Sequence, residues 1–142
     1  MKKMIERLRC QKGVAAIEFA IILPVLMMII LGIIEFGLLM YDKQVITNAS
    51  REGARAGVVV RKPQLTDLQV QDVVNDYIST NLVSFGSTPT SPVITINRTG
   101  MDFGDDLTVT VTYNYDFLVL PNFVASLTGM QTLVATTVMK ME

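Results

Sequence analysis

The stretch KGVAAIEFAIILPVLMMIILGIIEFGLLMY, residues 12–41, decides how this chain is read. From Val14 to Tyr41 the only charged residues are Glu18 and Glu35. At ~1.5 Å per helical residue, residues 14–41 extend about 40 Å and the uncharged interval 19–34 about 24 Å. A bilayer core is ~30 Å thick, so the two glutamates fall near its two edges. Glu35 is expected to snorkel outward or to face a partner helix. Pro24 would break a helix in water, but within a membrane it is tolerated as a kink. Gly32 and Gly37 allow close helix approach without forming a GxxxG pair. The apolar run is too long for the core of a cleavable secretory signal, and no small-x-small site ends it. A retained membrane helix is the expectation.

Charge is segregated around that helix. The first 13 residues hold Lys2, Lys3, Arg7, Arg9 and Lys12 against Glu6, a net +4, while the remainder carries −5. The basic flank keeps the N-terminus cytoplasmic and puts residues from about Asp42 onward outside. The acidic body has no basic patch, which argues against a nucleic-acid partner. The single cysteine, Cys10, has no partner for an intrachain disulfide and precedes the apolar run, so it is a poor acylation site. There is no histidine to act as a base and no serine framed by a nucleophile elbow. No enzymatic activity and no cofactor is expected.

Beyond the membrane, residues 42–60 are expected to continue the helix. Val45, Ile46, Ala49, Gly53, Ala56 and Gly57 make a narrow apolar face with 3- and 4-residue spacing. The string REGARAG, residues 51–57, reads as a helix face packed tightly on a sheet. Lys62-Pro63 ends this helix. Thr66-Asp67-Leu68-Gln69 is a capping-box pattern opening a second helix, with Leu68, Val70, Val73, Val74, Tyr77, Ile78 and Leu82 on one face. Residues 84–92 read as a loop. Strands are expected at 93–98, 107–119 and 132–141; the middle one alternates Leu107, Val109, Val111, Tyr113 and Tyr115 against Thr108, Thr110, Thr112 and Asn114. The connection NRTGMDFGDD, residues 97–106, reads as a hairpin loop. Its Asp102, Asp105 and Asp106 are read as a solvated turn, since calcium needs six to eight oxygens. The expected fold is α+β: a long N-terminal transmembrane helix continuing into a small domain of helices on a three-stranded antiparallel sheet.

Taken as a unit, Gly13-Val14-Ala15-Ala16-Ile17-Glu18-Phe19 resembles the prepilin processing motif. The wider set Pro24, Gly32, Glu35-Phe36-Gly37, Asn48-Ala49 and Arg51-Glu52-Gly53-Ala54-Arg55 resembles the TadE-like family of Tad (tight adherence) pilus systems. Valine at position 14 and the lack of a C-terminal cysteine pair depart from type IVa pilins and suit a TadE-like pseudopilin. The resemblance implies a pilin-like fold and a cleavage site at Gly13 and Val14 for a prepilin peptidase. It further implies an assembly role for Glu18 and Phe19, with other pilin or pseudopilin subunits and Tad assembly proteins as partners. It divides the chain into a basic leader, 1–13, a transmembrane helix, 14–41, and an extracytoplasmic domain, 42–142. The site would be the bacterial inner membrane, single-pass, with the C-terminal domain periplasmic. Glu18 would then pair with the new amine of Val14, in the same subunit or a neighbour. The spacing alone permits that role and equally a carboxylate resting among headgroups. Asn48-Ala49-Ser50 and Asn97-Arg98-Thr99 match glycosylation sequons, read as chance in a bacterial protein. Two other identities fit the residues: another type IV pilin or secretion-system pseudopilin, and an uncleaved anchor presenting a binding domain.

Overall fold

The structure is a computed structural model that describes residues 2–59, 63–84, 91–117 and 131–141, with side chains of the first helix described from residue 13. The element order is α1 (Lys2–Val58), α2 (Asp67–Asn81), β1 (Val93–Arg98), β2 (Asp106–Tyr115) and β3 (Gln131–Lys140). Two compact units result, Met1–Phe36 and Gly37–Glu142.

Helix α1 runs 57 residues and passes through Pro24 without interruption. Its end at Val58 comes two residues earlier than expected; Lys62, assigned to the break, lies outside the described residues. Helix α2 starts where the capping box places it. The Thr66 hydroxyl accepts from the Gln69 amide at 3.4 Å, and the Gln69 side chain accepts from the Thr66 amide at 2.9 Å. These two bonds satisfy donors that a helix start leaves orphaned. Val70, Val74 and Ile78 are its buried residues. Leu68, expected on the same face, is 72% exposed. In the helix's first turn it lies about 200° round from Val70, which faces the core.

The sheet is antiparallel in the order β1-β2-β3. The middle strand ends at Tyr115, short of the expected 119; Asp116 and Phe117 are irregular, and residues 118–119 lie outside the described residues. Only the ends of the loop expected at 84–92 are described. The alternation in β2 holds throughout. Leu107, Val109, Val111, Tyr113 and Tyr115 are all buried, while the intervening residues are half-exposed. Register carries that face across the sheet: Ile94 and Ile96 flank Val111 and Val109 on one side, and Ala135 and Leu133 flank Val111 and Tyr113 on the other. In the β1–β2 loop, Gly104 takes φ +91, and Asp105 folds back to accept the Asp102 amide at 2.8 Å. A positive φ suits glycine, which has no Cβ to clash.

The buried face of the sheet meets both helices. On α1, Asp42, Val45, Ile46, Ala49, Ser50, Gly53, Ala54, Gly57 and Val58 are buried, whereas Ala56, expected inward, is half-exposed. Gly53 and Gly57 are the closest points. A Cβ on Gly53 would run into the Val74 side chain, and one on Gly57 into Leu107, with Val70 at 3.2 Å. The stretch 51–57 therefore packs on α2 as well as on the sheet. Hydroxyls of Ser50 and Thr137 bond at 2.7 Å between α1 and β3, and the Lys43 ammonium donates to the Val134 carbonyl. The α+β architecture is the one the sequence led us to expect.

This packing predicts that Gly53→Val destabilises the fold by about 1–3 kcal/mol, because Val74 is β-branched and cannot swing aside. Gly32→Ala is the matched control, since nothing lies within 4 Å of an added Cβ there. Thermal unfolding of the full chain in detergent micelles, followed by circular dichroism, checks the pair. Equal behaviour of the two variants would contradict close packing at Gly53.

Candidate functional site

Gly13, Val14, Glu18 and Phe19 all lie on α1 within the first compact unit, and all are exposed. Val14 and Glu18 are four residues apart, so they share a face, one turn above the other. Phe19 is one residue further round, at 62% exposure. Among the described residues Glu18 has no ion-pair partner. A methyl group placed on Gly13 would meet nothing within 4 Å, so packing within the described chain gives no reason for glycine there. A glycine inside a helix costs roughly 0.5–1 kcal/mol relative to alanine.

Downstream, large apolar side chains stand open on every side of α1: Ile17, Ile21, Ile22, Val25, Met28, Ile29 and Ile33 are examples. Helices in water hide one apolar stripe and expose a polar face; this segment has no polar face. Its mean hydropathy over the most apolar window is 2.8, and α1 is long and apolar enough to cross a membrane. Among the described residues the structure thus carries one candidate membrane anchor, near the N-terminus.

Glu35 departs from expectation. It is 4% exposed, and its carboxylate does not reach water.

Asp42 itself was legible in the sequence only as the first charge after the apolar run. In the structure its Oδ1 accepts the Val83 amide at 3.3 Å, and its Oδ2 has no hydrogen-bond partner among the described residues. Burial pushes its pKa above the ordinary 3.8, and the Val83 hydrogen bond opposes that only partly. The phenol of Tyr113 is also raised, first by burial and then by the negative charges of Asp42 and Asp116. Arg98, its side chain largely covered, joins β1 to the start of α2: its guanidinium donates to Asp67 and to the Leu65 carbonyl. Among the described residues no group of three or more His, Cys, Asp or Glu side chains is placed to hold a metal ion. In the 97–106 loop, Asp105 is engaged with the backbone and Asp106 pairs with Lys140 at 3.3 Å.

With this geometry in hand, residues 13–55 match the family described as TadE-like protein. They form a TadE-like domain that covers α1 from Gly13 to Arg55 and includes neither α2 nor the sheet. No curated protein and no solved structure matches the chain.

Asp42 gives a pH prediction. Its folded pKa is raised, so the folded state holds the proton more tightly than the unfolded chain. Its contribution to stability is fully present below the ordinary carboxylate value and is lost as pH rises through the raised one. Asp42→Asn keeps an acceptor for Val83 and cannot ionise. Its unfolding temperature in micelles should fall less between about pH 4 and pH 7 than that of the wild type, and at neutral pH it should equal or exceed it. Parallel profiles would show that Asp42 is not buried as a carboxylate.

Proposed function

We propose that this chain is a minor pseudopilin-like component of a Tad (type IVb) pilus system. In this reading a prepilin peptidase removes residues 1–13 on the cytoplasmic side of a bacterial inner membrane. Residues 14–41 anchor the product, residues 42–142 stand in the periplasm, and the protein supports pilus biogenesis and surface adherence. The role is structural rather than enzymatic, with other pilin or pseudopilin subunits as partners.

One observation carries the reading: a glycine with no packing role among the described residues, followed at five residues by a carboxylate, precedes a largely exposed apolar stretch of helix within the TadE-like match. Glycine leaves the backbone at Gly13 unobstructed for a peptidase. Cleavage would create an amine at Val14, one turn from Glu18. A carboxylate among packed helices in low dielectric is tolerated when a cation pairs with it, and that amine supplies one. The +4 charge of the leader supports the cytoplasmic placement of the N-terminus.

Gly13→Val should therefore block removal of residues 1–13. Because those residues carry +4, a charge-sensitive gel together with intact mass separates the processed and unprocessed forms. Wild type and variant both at full-length mass would mean that there was no cleavage to block.

Glu18→Gln should leave membrane insertion intact, because removing a charge favours hydrocarbon. It should weaken association between subunits, as the Val14 amine loses its counter-charge. Pilus display and subunit crosslinking, with protein level and leader removal controlled, read the effect. Assembly equal to wild type would make Glu18 an interfacial carboxylate only.

A further inference from the structure

The second compact unit carries two like-charged pairs that have no opposite charge paired to them among the described residues. Arg51 and Arg55 sit four apart on α1, and Asp72 and Asp76 sit four apart on α2; all are exposed. None of them forms an ion pair among the described residues. Glu52 borders the arginines without pairing to either. Like charges at this spacing repel and weaken their own helix, so each pair stands at a cost that an opposite charge would relieve.

Their placement is related. Gly53 abuts Val74 and Val70, and Gly57 abuts Val70, so stepping four residues up α1 steps four residues down α2. The two helices run antiparallel, with Gly53 level with Val74. Arg51 and Arg55 lie two residues either side of Gly53. Asp72 and Asp76 lie two residues either side of Val74. Two residues are about 200° of helix. The arginines therefore point away from α2 and the aspartates away from α1. At a single level along the helix pair, one flank is basic and the opposite flank is acidic, with the same spacing.

We propose that this arrangement is a docking surface for a second copy of the chain, the Arg51/Arg55 flank of one copy facing the Asp72/Asp76 flank of the next. The contact deepens the pseudopilin reading by assigning it a lateral interface in the extracytoplasmic domain. Because different flanks meet, the contact is heterologous: each copy keeps one flank free, and the contact propagates rather than stopping at a dimer. Exposed ion pairs add little individually. Their part is to set register and exclude wrong neighbours, while confinement to one membrane supplies the effective concentration.

Crosslinking of the full chain in membranes tests this. The background is Cys10→Ser with Asn48→Cys on the basic flank and Ser79→Cys on the acidic flank. Each cysteine lies five residues from Gly53 or Val74, so the two are level. Wild-type charges should give an oxidised ladder extending past dimer. Arg51→Glu/Arg55→Glu and Asp72→Lys/Asp76→Lys should each reduce it by roughly tenfold or more, as two attractions become two repulsions. Mixing the two variants should restore the ladder, because each then offers the flank the other needs. An unchanged ladder in either single variant overturns the contact, as does a loss that mixing fails to rescue, which would place the arginines against a different partner or lipid. Leader removal is read on the same samples. A retained leader with an intact, charge-dependent ladder defeats the pseudopilin reading and upholds the contact; a removed leader with a charge-independent ladder does the reverse.

Discussion

The distance between α1 and the layer beneath it governs the packing of the second compact unit. At Gly53 and Gly57 the helix backbone itself rests on Val70, Val74 and Leu107. Lacking side chains at those points, one helix lies close to both α2 and β2, and a core is made from small and medium residues. Ile46, Ala49, Ala54, Val109 and Val111 are among the residues that close it. Tyr113 and Tyr115 lie further along the middle strand, where Tyr115 meets Phe117 edge-on at 5.5 Å between ring centres. Close approach also lets short polar groups bridge layers: the Ser50–Thr137 hydroxyl pair would be out of reach across a bulkier seam. Interiors packed at crystal-like density transmit such a constraint over several residues.

Most of the fold was legible because its signals are local. Period-2 alternation in β2, the capping box at Thr66 and the uncharged run of α1 each act over a few residues and need no tertiary information. The misreadings occur where a distant contact decides. Leu68 belongs to an apolar sequence face, but helical phase in the first turn carries it outward. Ala54 and Ser50 are buried because α1 is covered from two directions, by α2 and by the sheet, which widens the inward face beyond a single stripe. Glu35 and Asp42 are the clearest cases. Charge and hydropathy place both at a water boundary, whereas both are buried. The Gly13-to-Phe19 pattern is legible as a string, whereas the flanking charge pairs are not: their relation depends on the antiparallel register of α1 and α2.

The glycines of α1 fall into two groups. Gly53 and Gly57 are accounted for by contacts within the chain. Gly13, Gly32 and Gly37 have open space where a methyl group would go. One helix thus serves two kinds of demand, with internal packing at its C-terminal end and freedom from bulk toward its N-terminal end. The TadE-like match, residues 13–55, takes in Gly13, Gly32, Gly37 and Gly53 and stops before Gly57 and before the first residue of α2.

Helix α1 is continuous across the Gly13–Val14 bond. A peptide bond inside a helix has its amide and carbonyl engaged with neighbouring turns and cannot lie extended in a protease cleft, so scission there requires a turn to be pulled open first. Glycine is the residue at which that turn is held least firmly, apart from proline. In the proposed processing the junction would behave as a perforation in an otherwise stiff rod, where one turn opens while the apolar helix beyond it stays wound.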